Sequence, residues 1–353
     1  MQTDLFKTLV SIATFILAQT GGGGAALPPA SGAPGARAVV GYYSEYYPGE
    51  RAPYESLRDH SDTLTAIASF SYYLNGQGYV SGERPTAAAD LAQQKGVKVL
   101  ALVHNFTRKN GFESGTAHQL LANPLNRSRA VANLLSLVTK RGYSGINLDL
   151  ECVPASDRGN LTAFVRELSQ AMRPLGFQMT ASVPAKTADH RDNNWSGAFD
   201  YAALGVWLDQ IMLMTYDENG APGQAGPVAS ISWVEQVIRY ATSVIHSRKI
   251  VLGLAGYGYD WVQGKTGGTA REFHDIQALA DRMGVAPKWD NVAKVPYFRY
   301  YSASRTRIVW YENNWSASYK LDLVNRYNLG GVAVWRLGGE DPQLWRVIRA
   351  KLG

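Results

Sequence analysis

The sequence predicts an α/β fold, a (β/α)8 barrel with a small α+β insertion between its seventh and eighth strands, on three observations. Eight short apolar or β-branched runs recur along the chain, segments of helical periodicity separate them, and polar clusters stand at the carboxyl ends of several runs. The runs are residues 38–42, 64–72, 97–104, 145–151, 178–183, 210–216, 250–257 and 331–335. Helical periodicity fills 86–94, 117–140, 158–173, 199–208, 233–246 and 317–327, with a last helix at 342–351. A doubly wound open sheet is the alternative, but no G-x-G-x-x-G turn follows the first run. The span from 260 to about 311 is too long for an ordinary βα loop and carries its own helix signal at 272–283 and strand signals at 297–301 and 307–311. It reads as the α+β insertion.

Residues 37–353 form the predicted barrel domain. The first 36 read differently: an apolar run at 8–18 follows Lys7 and ends in small residues, as in a secretory signal peptide, and a Gly/Ala/Pro-rich leader follows. The run is too short for comfortable membrane insertion. A hydrophobic fraction of 46% with 18% charged residues describes a globular chain, not a disordered one. The net charge of +6 comes from scattered Lys and Arg, so no nucleic-acid partner is expected. A single cysteine, Cys152, permits neither an internal disulfide nor a cysteine zinc site. The six histidines show no metal-ligand spacing, and no cofactor or metal is expected.

The stretch Gly145-Ile146-Asn147-Leu148-Asp149-Leu150-Glu151 alternates strictly. On a strand, Ile146, Leu148 and Leu150 share one face and Asn147, Asp149 and Glu151 the other, with successive acids about 6–7 Å apart. Like charges that close resist joint ionisation, so one carboxyl is expected to keep a proton near neutral pH. On pattern alone the pair reads equally as part of an ion-pair network in the barrel mouth.

With Met214-Thr215-Tyr216-Asp217 after the sixth run, the stretch Leu252 to Trp261 and Trp335 at the end of the eighth run, the alternating stretch resembles glycoside hydrolase family 18. The family's fourth-strand motif, D-G-x-D-x-D-x-E, stands here as Ser144 to Glu151, and its M-T-Y-D is intact as Met214-Thr215-Tyr216-Asp217. The stretch from Leu252 to Trp261 is similar to the family's seventh strand, and Trp335 to the tryptophan ending its eighth. Two aspartates of the motif are replaced, by Ser144 and Asn147. The asparagine form and the ending Trp335-Arg336-Leu337-Gly338-Gly339-Glu340-Asp341-Pro342 resemble a bacterial subgroup of spore-cortex-fragment lytic enzymes and peptidoglycan glucosaminidases.

The resemblance implies a retaining, substrate-assisted glycosidase in which the substrate's N-acetyl oxygen is the nucleophile. Catalytic roles then fall to Glu151 as proton donor, Asp149 as acetamide-orienting partner and Tyr216 as donor to the acetamide oxygen. Asn147, Asp217, Trp335, Tyr42, Tyr259 and Trp261 are the expected substrate-binding residues. With Asn147 unable to hold a proton, Glu151 is expected to set the acidic limb of activity. The implied partner is an N-acetylglucosamine polysaccharide, in peptidoglycan or chitin fragments, cleaved at β-1,4 linkages. The chain is expected to act as a secreted or cell-wall and spore-associated monomer. The alternatives are a chitinase or chitooligosaccharide hydrolase, and a non-catalytic chitinase-like sugar-binding protein.

Overall fold

Strands rich in Val, Ile, Leu and Ala that bury both faces need a layer on each side, and a closed parallel barrel inside a ring of helices supplies it. The computed structural model describes residues 37–353, so the expected leader at 1–36 lies outside the described residues. The strands are β1 (Ala38–Tyr43), β2 (Ala66–Leu74), β3 (Lys98–His104), β4 (Gly145–Asp149), β5 (Gln178–Pro184), β6 (Gln210–Met214), β7 (Ile250–Ala255) and β8 (Gly331–Trp335). Each pairs in parallel with the next, and β8 pairs with β1 to close the barrel.

Alternation sorts the side chains. Ile146 and Leu148 of β4 join the core between barrel and helices, together with Leu134, Phe164 and Leu168. The barrel interior is a smaller cluster of Val40, Ala68, Leu100, Leu102, Met212, Val251 and Ala333, with Tyr42 and Trp335 at its upper end. The interior is thus plugged, and open space remains only at the carboxyl ends of the strands.

Several elements differ from the sequence reading. The predicted helix 117–140 is two helices, Ser114–Ala122 and Pro124–Arg141. Pro124 cannot continue a helix but suits the first turn of a new one, and Asn123 caps that turn by accepting from Leu125 N–H. A helix at Ala52–His60 was not anticipated; Pro53 sits in its first turn. The insertion begins earlier than expected, at Tyr257. It forms an antiparallel sheet of Tyr257–Val262, Thr269–Glu272, Lys288–Asp290, Val295–Ser302 and Arg305–Tyr311, with the helix Phe273–Arg282 packed on it.

Gly145 opens β4 where the chain presses against β5: a Cβ there would lie 2.0 Å from the Gln178 carbonyl oxygen. The atoms met are all backbone atoms of Gln178, with no flexible side chain to give way. Gly145→Ala is expected to cost on the order of 3 kcal/mol, read as a lowered urea midpoint with an unchanged m value.

Candidate active site

A cleft of about 1100 Å³ opens over the carboxyl ends of the strands, and Tyr42, Asp149, Glu151, Tyr216, Asp217 and Trp335 all line it. The barrel strands deliver these side chains, but two of them stand beyond a strand end. β4 stops at Asp149, not at Glu151 as the alternation suggested, because its register with β5 ends at Leu148. Asn105, just past β3, takes over the role of the missing ladder. Its Oδ1 accepts from Glu151 N–H at 2.9 Å and its Nδ2 donates to the Glu151 carbonyl at 2.9 Å. Asn105 is fully buried, so it fixes the backbone from which the Glu151 side chain projects. β6 likewise ends at Met214, and the Thr215 hydroxyl donates to the Gly253 carbonyl at 2.7 Å, carrying the chain on to Tyr216. Gly253 also makes room for the tyrosine ring, since a Cβ there would lie 2.9 Å from Tyr216 Cε1.

Asp149 is 5% exposed and Glu151 and Tyr216 are half-buried. None of these three polar side chains has a hydrogen-bond partner among the described residues, although buried polar groups ordinarily do. Burial, and then the charges of Asp149 and Asp217, push the Glu151 carboxyl far above the usual carboxylate range. Burial raises Asp149 as well. The first proton is therefore held at neutral pH within this pair.

Asn147 does not reach the cleft. It is fully buried beneath Asp149, its Nδ2 donating to Thr180 Oγ1 at 3.0 Å and Met212 Sδ at 2.9 Å, and its Oδ1 accepting from Ser182 Oγ at 3.0 Å. With its only proton used on Asn147, Ser182 accepts from Tyr42 OH at 2.7 Å, while Thr180 donates to the Ile146 carbonyl. An aspartate at 147 could not make the two donations. The expectation of Asn147 as a substrate-binding residue is corrected: it is a strut in the barrel floor.

Trp261 requires the same correction. It is fully buried in the insertion, in a cluster with Tyr259, Val228 and Ile308, because alternation along its strand turns it into the sheet's packed face. Tyr259 is buried there too, but its hydroxyl donates to Asp217 Oδ1 at 2.8 Å, beside that of Tyr257 at 2.6 Å. It thus holds a cleft residue without lining the cleft itself. Trp335 is framed by edge contacts from Tyr42 and Phe70, at centroid distances of 5.3 and 5.8 Å, and the Trp335–Arg336 peptide is cis. His104, at the end of β3, stacks on Phe70 at 4.1 Å and accepts from Phe106 N–H at Nδ1. Burial lowers its pKa to about 4, so at neutral pH the ring carries its proton on Nε2.

Cys152 follows Glu151 with φ 53°, and burial, then the neighbouring carboxylate, raise its thiol pKa. Such a thiol is poorly nucleophilic. Arg336 of the W-R-L-G-G-E-D-P ending is buried and turned away from substrate space. It donates to the Ser44 carbonyl at 2.8 Å and to Glu50 at 2.6 Å, pairs with Glu272 and lies 3.6 Å over the Tyr46 ring. Glu340 accepts from Trp345 Nε1 at 2.8 Å and from Ser56. The motif fastens the barrel's end.

The fold and cleft are those of a glycosidase barrel, and residues 38–340 match Glycosyl hydrolases family 18. The chain belongs to that family. It is 32% identical over 307 residues to the uncharacterized glycosylase YvbX of Bacillus subtilis, covering 86% of this chain and 89% of that one. It is 29% identical over 299 residues to the cortical fragment-lytic enzyme of B. subtilis, covering 83% and 69% respectively. Among solved structures, the chitinase from Chromobacterium violaceum superposes with a TM-score of 0.84 at 32% identity, covering 90% of this chain and 99% of that one. Among the described residues no helix is long and apolar enough to cross a membrane, and no group of acids, histidines or cysteines is arranged to hold a metal ion.

A carboxyl that binds its proton more tightly when folded costs stability above its unfolded pKa of about 4.3, because there the unfolded chain ionises and the folded one does not. Below that pH the cost is absent. Glu151→Gln is therefore expected to raise Tm at pH 7 to 8 and to lose this advantage towards pH 4. Thermal melts of both proteins across that range check it; a gain independent of pH would contradict the burial argument.

Proposed function

We propose that this family 18 glycosidase hydrolyses β-1,4 linkages next to N-acetylglucosamine in peptidoglycan, in cortex or cell-wall fragments, by substrate-assisted catalysis with retention. The observation that carries the reading is the set of three cleft side chains, Asp149, Glu151 and Tyr216, left without protein partners. Glu151, protonated at neutral pH, gives its proton to the leaving glycosidic oxygen and later takes one from water. Asp149 accepts from the acetamide N–H and stabilises the positive oxazolinium-like species. The Tyr216 hydroxyl donates to the acetamide oxygen. No enzyme nucleophile is needed, because the acetamide attacks the anomeric carbon. Asp217 binds sugar hydroxyls, and Trp335 and Tyr42 supply the apolar floor.

The choice of peptidoglycan over chitin rests on two supports: the likeness to a cortical fragment-lytic enzyme, and Arg108. Arg108 is the one cation among the described residues that line the cleft, and its only partner among the described residues is the Tyr46 carbonyl at 3.2 Å. A neutral chitin chain has no use for it, whereas a peptide-bearing glycan brings carboxylates. The likeness to a chitinase favours the second reading, hydrolysis of chitin or chitooligosaccharides. Cleavage outside the cytoplasm, at the cell wall or spore, and action as a monomer complete the proposal.

Mass spectrometry of products from defined cortex fragments and from chitohexaose separates the two readings. Turnover of the fragments is expected to exceed that of chitohexaose and to fall at least 1,000-fold in Glu151→Gln, on the order of 4 kcal/mol of transition-state stabilisation. Binding without turnover, unchanged in that variant, would instead mark a sugar-binding protein. Because the proton donor has a raised pKa, activity is expected to fall as pH rises through the Glu151 titration. Glu151 then governs the alkaline limb, not the acidic limb anticipated from sequence.

Arg108→Ala is expected to raise KM for peptide-bearing glycan roughly tenfold, the equivalent of one charge-assisted hydrogen bond. KM for chitohexaose should change much less. Equal effects on both substrates would remove the argument from charge.

A further inference from the structure

The insertion's sheet has two faces. One packs Tyr259, Trp261, Ile308 and Trp310 against Val228 and Ala255 of the barrel end. The other is covered by the helix Phe273–Arg282, whose Ile276, Leu279 and Ala280 sit on Phe298, Val309 and Tyr311. Past the last turn of that helix the sheet is uncovered, and a second cavity of about 510 Å³ lies there, sharing no lining residue with the cleft.

Four arginines line this cavity, Arg271, Arg282, Arg305 and Arg307, and none of its described lining residues is acidic. Behind the wall stands one carboxylate, the fully buried Asp260. Its Oδ2 accepts from Arg271 at 2.9 Å and from Tyr300 OH at 2.8 Å, and its Oδ1 accepts from Arg307 Nε at 2.9 Å. Those bonds account for Asp260 and anchor two of the guanidiniums with their remaining N–H groups still available. Arg282 and Arg305 have no hydrogen-bond or ion-pair partner among the described residues. Arg305 is held beside the others by a tight turn, in which Ala303 and Ser304 both take left-handed φ and Ser302 pairs with Arg305. Four positive charges thus converge on one concavity against a single buried negative charge, where guanidinium forks match the planar or tetrahedral oxygens of an anion.

We propose that this cavity is a second, non-catalytic binding site for oxyanions carried on a polymer, the phosphates or carboxylates of an anionic wall polyelectrolyte. The site acts by holding the enzyme on its polymer; it takes no part in bond cleavage and does not depend on which glycan the cleft prefers.

The test uses the full chain at low ionic strength, with fluorescently labelled poly(glycerol phosphate) and poly-γ-glutamate as probes in anisotropy titrations. The wild type is expected to bind at least one of them, with affinity falling as salt rises. Arg282→Glu/Arg305→Glu, both on exposed side chains, is expected to weaken binding at least tenfold while leaving chitohexaose hydrolysis unchanged. Lys95→Glu/Lys140→Glu makes the same change in net charge on exposed helix ends elsewhere and is expected to bind like the wild type. Binding of the phosphate polymer alone, of the carboxylate polymer alone, or of both identifies the source of the oxyanion. The proposal is overturned if the wild type binds neither polymer, or if the two double variants lose equally, which would mean a diffuse effect of net charge.

Discussion

Two carboxyls buried on one side of a barrel mouth, with no protein group to satisfy them, are the constraint that the neighbouring structure answers. Desolvation without compensation makes each of them hold a proton more tightly, and the proximity of the second charge adds to the effect on Glu151. Such an arrangement survives only if the surrounding chain cannot relax to supply a partner. The plugged barrel interior below Asp149 and the relay from Tyr42 through Ser182, Asn147 and Thr180 to the Ile146 carbonyl provide that stiffness. Every donor in the relay has an acceptor, so none is free to turn upward and neutralise the acid above it.

Much of this was legible in the sequence because the signals were periodic. Eight apolar runs at barrel spacing, the alternation through Asp149 and the M-T-Y-D ending of the sixth strand are local patterns, and local patterns survive in one dimension. What was not legible depended on contacts distant along the chain. Nothing near Asn105 announces that it will grip the backbone of Glu151, 46 residues later. Asn147 shares the strand face of Asp149, as alternation requires, yet one residue pair deeper in the barrel is the difference between touching substrate and touching Met212. Trp261 misled for a related reason: it shares a sheet face with Tyr257, which lines the cleft, but stands four residues further along the strand, packed with Val228 and Ile308.

The W-R-L-G-G-E-D-P ending illustrates how a motif can distinguish a subgroup without contacting a ligand. Arg336 binds the loop after β1 through Ser44 and Glu50 and the insertion through Glu272. Two segments, the loop after β1 and the insertion, are therefore tied to one guanidinium at the end of β8. The junction holds the Tyr46 side of the cleft, whose backbone carbonyl accepts from Arg108.

The insertion leaves the barrel at Tyr257 and returns at Glu312, and these two residues are themselves joined by a backbone hydrogen bond of 3.1 Å. Its entry and exit strands are neighbours, Gly258 opposite Tyr311. The crossover from β7 to β8 consequently sees the 50-odd residues between as little more than a short hairpin stem, and the entropy of closing that long loop is met within the insert. A segment attached in this way is a cassette: lineages can lengthen, trim or recharge it without altering the register of the barrel that carries the chemistry.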